Sequence, residues 1–229
     1  MIRSLIAAAG AVLFCATVAF AADAPAPTPS PAPAMPAIVP LPAPAAKPFK
    51  YVPKESDIVS GKETAPVTVV EYASLTCPHC AHFFKNIEPE LTAKYVDTGK
   101  VKFVYRNFLR NSADVIAAKL VECVEVDRRP VFVKVLFDTQ MKWIADSNIQ
   151  SALENIAALG GVDRAKYEAC MSDKTLEKAV IEVGQQASDD YHVSSTPTFF
   201  INNTLYQGNF EAAAIGKAID RALENKNKK

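Results

Sequence analysis

Apolar positions along this chain follow two different periods, and the switches between them lay out the predicted elements. Val67-Thr68-Val69-Val70-Glu71-Tyr72-Ala73 reads as a buried strand. From Pro78 to about Asp97 the period becomes helical, with Ala81, Phe84, Ile87, Leu91 and Tyr95 on one face. Pro89 should kink this helix, and Gly99 should end it where a positive φ is needed. Val101-Lys102-Phe103-Val104-Tyr105 alternates again as a strand, so the segment makes a βαβ unit with parallel strands. Between Ser112 and about Asp190 the pattern is helical throughout. Ser112 is the predicted cap of one helix, and Pro130 opens another through Phe132, Val135, Leu136 and Trp143. Further helices are predicted over Ile149–Leu159, Asp163–Met171 and Lys174–Asp189, divided by Gly160-Gly161 and Ser172-Asp173. Helical spacing makes Trp143 and the phenylalanines here core residues rather than cofactor contacts. Ser195 to Ile201 returns to strand, and Asn202-Asn203 leads to the short strand Thr204-Leu205-Tyr206 as a hairpin. Asn209 is the predicted cap of a last helix, with Phe210, Ala214, Ile215, Ala218, Ile219 and Leu223 inward. The order is strand, helix, strand, helical block, hairpin, helix, which belongs to the α/β class.

The ends add two segments outside that domain. Arg3 precedes an apolar or small run from Leu5 to Ala22 that closes on Ala19-Phe20-Ala21, the pattern of a secretory signal over residues 1–21. The same run is just long enough to serve as a retained membrane anchor. Cys15 follows Phe14, which is too large for the residue expected before a lipidated cysteine, so it should leave with the signal. Residues 22–53 form a Pro/Ala tract holding 11 of the 16 prolines. Such a tract should be an extended spacer, reaching on the order of 90 Å at ~3.1 Å per residue. It is either an idle leader or a stalk that holds the folded part away from a membrane or wall. Residues 54–225 then suffice for one domain with a core. Lys plus Arg and Asp plus Glu both total 25, so no charge excess points to nucleic acid. The Lys226, Lys228 and Lys229 tail reads as a solvated end.

Chemistry concentrates at Cys77-Pro78-His79-Cys80, where a strand passes into a helix. A helix N-terminus carries partial positive charge and unpaired N–H groups, which stabilise a thiolate. The thiolate is the form that exchanges disulfides, so Cys77 is a candidate redox nucleophile. Pro78 fits the first helical turn, where its missing N–H is not needed. His79 offers a charge or a donor beside the sulfur. A C-x-x-C pair is also half of a zinc site, but no second pair exists and the histidines are only His79, His82 and His192. Covalent haem attachment needs a histidine where Ala81 stands. After export, Cys77, Cys80, Cys123 and Cys170 remain, an even count suited to an oxidising compartment.

The run Glu71-Tyr72-Ala73-Ser74-Leu75-Thr76-Cys77-Pro78-His79-Cys80 resembles the active-site strand and helix of the DsbA thiol:disulfide oxidoreductases. Thr196-Pro197 before a strand resembles the cis-proline loop of thioredoxin-fold enzymes. The resemblance covers roughly Val59 to Glu224. It implies a thioredoxin fold with a helical domain inserted over about residues 110–190, which accounts for the length between Cys80 and Pro197. By the same resemblance Cys77 is the exposed nucleophile and Cys80 the buried resolving cysteine, with Pro78 and His79 tuning the thiolate. Glu71 falls at the position of a partly buried carboxylate that exchanges protons with Cys80; otherwise it is a strand-edge charge. Pro197 matches the cis-proline, and Thr196 the residue whose backbone pairs with a substrate strand. Thr196 departs from the valine of the best-known DsbA. Cys123 and Cys170 resemble the second cysteine pair of alphaproteobacterial DsbA-like proteins, which implies a structural disulfide worth ~4 kcal/mol on the chain-entropy model.

The resemblance implies a periplasmic dithiol oxidase without cofactor or metal. Its partners would be exported proteins with free thiols and a membrane quinone-coupled reoxidase, not nucleic acid. A disulfide isomerase or reductase of the same fold is the alternative, as is a chaperone-like peptide-binding module.

Overall fold

The computed structural model describes residues 45–228, so the expected signal peptide and residues 22–44 of the Pro/Ala tract lie outside the described residues. Five strands form one sheet in the order β1-β3-β2-β4-β5. These are β1 (Ile58–Ser60), β2 (Val67–Ala73), β3 (Val101–Asn107), β4 (Thr198–Ile201) and β5 (Thr204–Leu205). β2 and β3 run parallel, with Glu71 opposite Tyr105; every other pairing is antiparallel, including Glu71 opposite Phe199. The central pair is covered on both faces, so β2 and β3 are buried almost throughout, the polar Glu71, Lys102, Arg106 and Asn107 included.

The period-2 geometry of the strands sorts side chains between two cores. Val67, Val69, Ala73, Phe103, Tyr105, Phe199 and Ile201 join the larger one. It is completed by α1 (Pro78–Asn86), α9 (Ala212–Asn227) and most of the inserted helices. Val70, Tyr72, Val104 and Phe200 face the opposite side, where Val183 and Ala187 of α8 (Lys174–Tyr191) cover them. The insertion itself comprises α3 (Ser112–Cys123), α4 (Arg129–Asp138), α5 (Gln140–Ile144), α6 (Ile149–Leu159), α7 (Arg164–Ser172) and α8. Trp143 is buried and donates its indole N–H to the Leu136 carbonyl, a core role.

Several boundaries differ from the sequence expectation. β1 has no counterpart there; three residues are too few to display a period, and its pairing with β3 is what defines it. The helix expected from Pro78 to Asp97 breaks at Ile87 (φ −119°) and restarts as α2 (Glu88–Leu91), which runs into a π-helical turn at Thr92–Val96. Pro89 sits in the first turn of α2, so the proline opens a second helix instead of bending the first. Asn111, not Ser112, caps α3, its side chain accepting from the Asp114 N–H. Asn209 caps nothing: α9 begins at Ala212 without a side-chain cap, and Phe210 lies outside it, 42 % exposed. Gly99 has φ +72° and ends its segment as expected.

The boundary at residue 53 also shifts. Phe49 is buried, stacked on Phe200 with ring centroids 4.0 Å apart and edge-on to Tyr191 at 4.8 Å. The Lys47 N–H donates to the Asp190 carbonyl at 2.7 Å, and the Tyr51 N–H to Asn203 Oδ1 at 2.8 Å. The last residues of the tract therefore form a strap across the sheet, because two aromatic side chains there have an apolar face to cover.

Candidate active site

Cys77 is the N-cap of α1, with extended backbone (φ −84°, ψ 120°), and its carbonyl accepts the Ala81 N–H at 3.1 Å. Pro78 occupies the first turn and, with His79, is exposed, whereas Cys80 is completely buried. Cys77 itself is only 1 % exposed, a correction to the exposed nucleophile the resemblance implies. The cover comes from the loop before β4: the Cys77 thiol donates to the Thr196 carbonyl at 3.4 Å, and the Thr196–Pro197 peptide is cis. The fold thus brings Cys77, Cys80, Thr196 and Pro197 to one point from opposite sides of the insertion.

The two sulfurs differ sharply in acidity. Cys77 is lowered from the ordinary 9.0 to about 4, chiefly by a hydrogen bond from the Cys80 thiol, helped by Thr196 and by the main-chain N–H groups of Cys80 and His79. The Thr196 hydroxyl is buried and has no partner in the dithiol, which leaves it able to donate to a thiolate. His79 acts on the sulfur through its backbone N–H. Cys80 moves the opposite way, pushed up by burial, by its hydrogen bond to Cys77 and by Glu71.

Glu71 lies in the middle of the central strand, fully buried, and neither carboxylate oxygen has a hydrogen-bond partner. Burial raises its pKa well above the usual carboxylate range, and the neighbouring Glu88 and Cys77 add to this. A strand-edge charge would be solvated, so that alternative does not describe this residue. An acid held neutral beside two sulfurs is equipped to hold and release a proton.

Two residues that carry no signal in the sequence complete the site. Asp114 of α3 is buried, and its carboxylate accepts from Ser74 Oγ, Thr76 N, Thr76 Oγ1 and Arg110 N at 2.9–3.0 Å. Gln140 of α5 is also buried and donates through Nε2 to the carbonyls of Leu75 (2.8 Å) and Cys77 (3.0 Å). In sequence Asp114 is an ordinary first-turn acid and Gln140 an unremarkable polar residue, so nothing short of their contacts singles them out. A groove of about 340 Å³ adjoins the cis-proline loop, lined by Tyr191, His192, Pro197, Leu205, Tyr206 and Phe210 among others. The larger cavity of about 610 Å³, under the β4–β5 turn and α9, is lined by none of the site residues. Among the described residues no group of three or more His, Cys, Asp or Glu is placed to hold a metal ion.

Cys123 and Cys170 are joined by a disulfide with a Cα–Cα distance of 6.3 Å, tying the end of α3 to α7. It lies within the insertion and takes no part in the constellation around Cys77.

A βαβ unit and a β-hairpin split by a helical insertion, with a C-x-x-C at a helix N-terminus facing a cis-proline, define a thioredoxin-fold thiol protein. A thioredoxin family model matches residues 54–221. A Rickettsia felis protein named "Putative protein-disulfide oxidoreductase" is 36% identical over 187 residues, 80% of this chain and 66% of that protein. The match therefore spans a little under two thirds of that relative's own length. Disulfide bond formation protein D of Bacillus subtilis is 25% identical over 178 residues, 73% of this chain and 78% of that one. Among solved structures, α-DsbA1 of Wolbachia pipientis superposes with a TM-score of 0.70 at 28% identity, covering 76% of this chain and 94% of that one. The chain belongs to the thioredoxin family, within its DsbA-like branch.

Proposed function

We propose that the protein is an exported dithiol oxidase that introduces disulfides into other proteins through Cys77 and Cys80. The observation carrying this reading is the opposed acidity of the two sulfurs, Cys77 lowered to about 4 and Cys80 raised. A cysteine that is a stable thiolate is a good leaving group, and stabilising the reduced dithiol makes the disulfide an oxidant.

Starting from the oxidised pair, a substrate thiolate attacks Cys77 Sγ, forming a mixed disulfide while the Cys77–Cys80 bond breaks. Cys80 departs with the electron pair, and because burial disfavours its charge it takes a proton. Glu71, held protonated nearby, is the donor. A second substrate thiolate then attacks the substrate sulfur of the mixed disulfide, a disulfide forms in the substrate, and Cys77 leaves as a thiolate. Two electrons pass from two substrate thiols to the enzyme disulfide. Thr196 and Pro197 line the approach, where an extended substrate segment would pair with the Thr196 backbone. Cys123–Cys170 braces the insertion. Return to the oxidised state by a membrane quinone-coupled partner, and residence in the periplasm, are taken from the resemblance to DsbA.

Equilibration with a glutathione redox buffer tests the reading. A Cys77/Cys80 potential more oxidising than about −200 mV is expected. A value below about −250 mV would instead favour a reductase. Oxidation of a reduced test protein should disappear in both Cys77→Ser and Cys80→Ser. Protection of an unfolded client that survives Cys77→Ala/Cys80→Ala would point to the peptide-binding alternative.

A further inference from the structure

Beyond its internal bonds, such as Cys77 N–H to the Ser74 carbonyl at 3.0 Å, the segment just before the nucleophile sends its hydrogen bonds into the insertion. Its donors, the Ser74 hydroxyl and the Thr76 N–H and hydroxyl, converge on the single buried carboxylate of Asp114. Its acceptors, the Leu75 and Cys77 carbonyls, are taken by the two N–H bonds of the buried Gln140 amide. Asn111, the cap of α3, closes the arrangement by donating from Nδ2 to Thr76 Oγ1 at 2.9 Å. Asp114 thus holds one side of the segment and Gln140 the other, from two different helices of the insertion.

We propose that Asp114 and Gln140 are positioning residues that make the acidity of the Cys77 sulfur a property of the helical insertion as well as of helix α1. The inference rests on the reading of Cys77 as the redox nucleophile. Thiolate stabilisation depends on where the sulfur sits relative to the Cys80 thiol first and then to the N–H groups of Cys80 and His79, and such interactions weaken steeply as distance and angle open. Cys77 is the N-cap, so the torsions of residues 74–77 set where its side chain points. Gln140 also places the positive end of an amide dipole on the Cys77 carbonyl, beside the developing charge. Neither residue touches the sulfur, which separates positioning from catalysis.

A purely structural role would lower stability without moving the sulfur's titration, so the two can be told apart. Asp114→Asn keeps the shape but turns one acceptor into a donor facing donors. Gln140→Met keeps the volume and removes both N–H groups. Lys119→Met serves as the control; Lys119 is buried in the same insertion but bonds Met171 and Glu177, away from the 74–77 segment. The readouts are thiolate absorbance of the dithiol protein against pH, the Cys77/Cys80 potential, and the thermal midpoint. Asp114→Asn and Gln140→Met are expected to raise the Cys77 pKa by at least one unit, a tenfold smaller thiolate fraction at pH below it, and to make the couple less oxidising. Lys119→Met should lose stability with no change in titration. Should the first two variants lose stability like the control while their titration and potential stay at the wild-type values, the proposal is overturned. If Asp114→Asn does not fold, Gln140→Met decides by the same criterion. A wild-type Cys77 that ionises like an ordinary thiol would instead overturn the redox reading itself, a distinct outcome.

Discussion

At the scale of single residues, the site is governed by where charge is allowed to sit. Cys77 in the folded dithiol ionises at about 4, far below the ordinary 9.0. Its charge therefore stabilises the folded reduced protein fully above pH 9, and that stabilisation is lost as pH falls towards 4. The stability difference between dithiol wild type and Cys77→Ser should shrink over that window in denaturant titrations, and a pH-independent difference would contradict the assigned acidity. Glu71 works in the opposite sense. Its folded pKa is raised, so the unfolded chain ionises first, and the residue costs stability as pH rises above the ordinary 4.5. Glu71→Gln should gain stability relative to wild type as pH rises above 4.5 and slow the step that protonates Cys80. Parallel pH curves for the two proteins would exclude a buried titrating acid. The residues at this scale are legible in the sequence because cysteine, proline and a lone acid inside an apolar strand have few structural uses. Asp114 and Gln140 are not, since first-turn acids and amides are common in helices and only contact reveals their partners.

At the scale of elements, periodicity locates the helices and the central strands, and it errs where an element owes its existence to a neighbour. β1 is held by its pairing with β3, not by its own pattern. In sequence the strap belongs to the proline tract, because proline dominates the composition there. Phe49 decides otherwise by filling the space between Tyr72, Tyr191 and Phe200. Phe49→Ala should cost about 3 kcal/mol, at the lower end for a buried phenylalanine, measured as a shift in denaturant midpoint. A change under about 0.5 kcal/mol would mean that the strap rests on the sheet without stabilising it. The strap also meets α8 at its end, where Lys47 pairs with Asp190 just before the left-handed turn at His192 (φ +54°) that leads to the cis-proline loop.

At the scale of the whole molecule, the insertion separates Cys80 from Pro197 in sequence and returns them to one site in space. Its internal order is braced by the Cys123–Cys170 bond, which closes a loop of 47 positions. Replacing both cysteines with alanine should lower stability by ~4 kcal/mol if the main effect is on the entropy of the unfolded chain. The glutathione equilibrium of Cys77/Cys80 provides the companion measurement, and a large shift there would show that the brace also reaches the catalytic segment. Buried ion pairs add further ties across the domain, among them Arg106 with Asp57 at 2.6 Å, placed beside Tyr72 and the Val52 carbonyl. Among the described residues no helix is long and apolar enough to cross a membrane.

The meeting of helix and proline loop was implied only by the resemblance to DsbA, while the amino-acid order alone determined the α/β class, the strand that carries Glu71 and the helix that starts at Cys77. These are local matters, set by hydrophobic period, by turn chemistry and by the rarity of C-x-x-C at a helix start. Only the tertiary structure decided that Cys77 is covered, that Glu71 is wholly dry and unpartnered, that Phe49 belongs to the core, and that the inserted helices grip residues 74–77. Each of those depends on which surfaces meet, and burial and hydrogen-bond partnership arise only once segments distant in sequence are packed together.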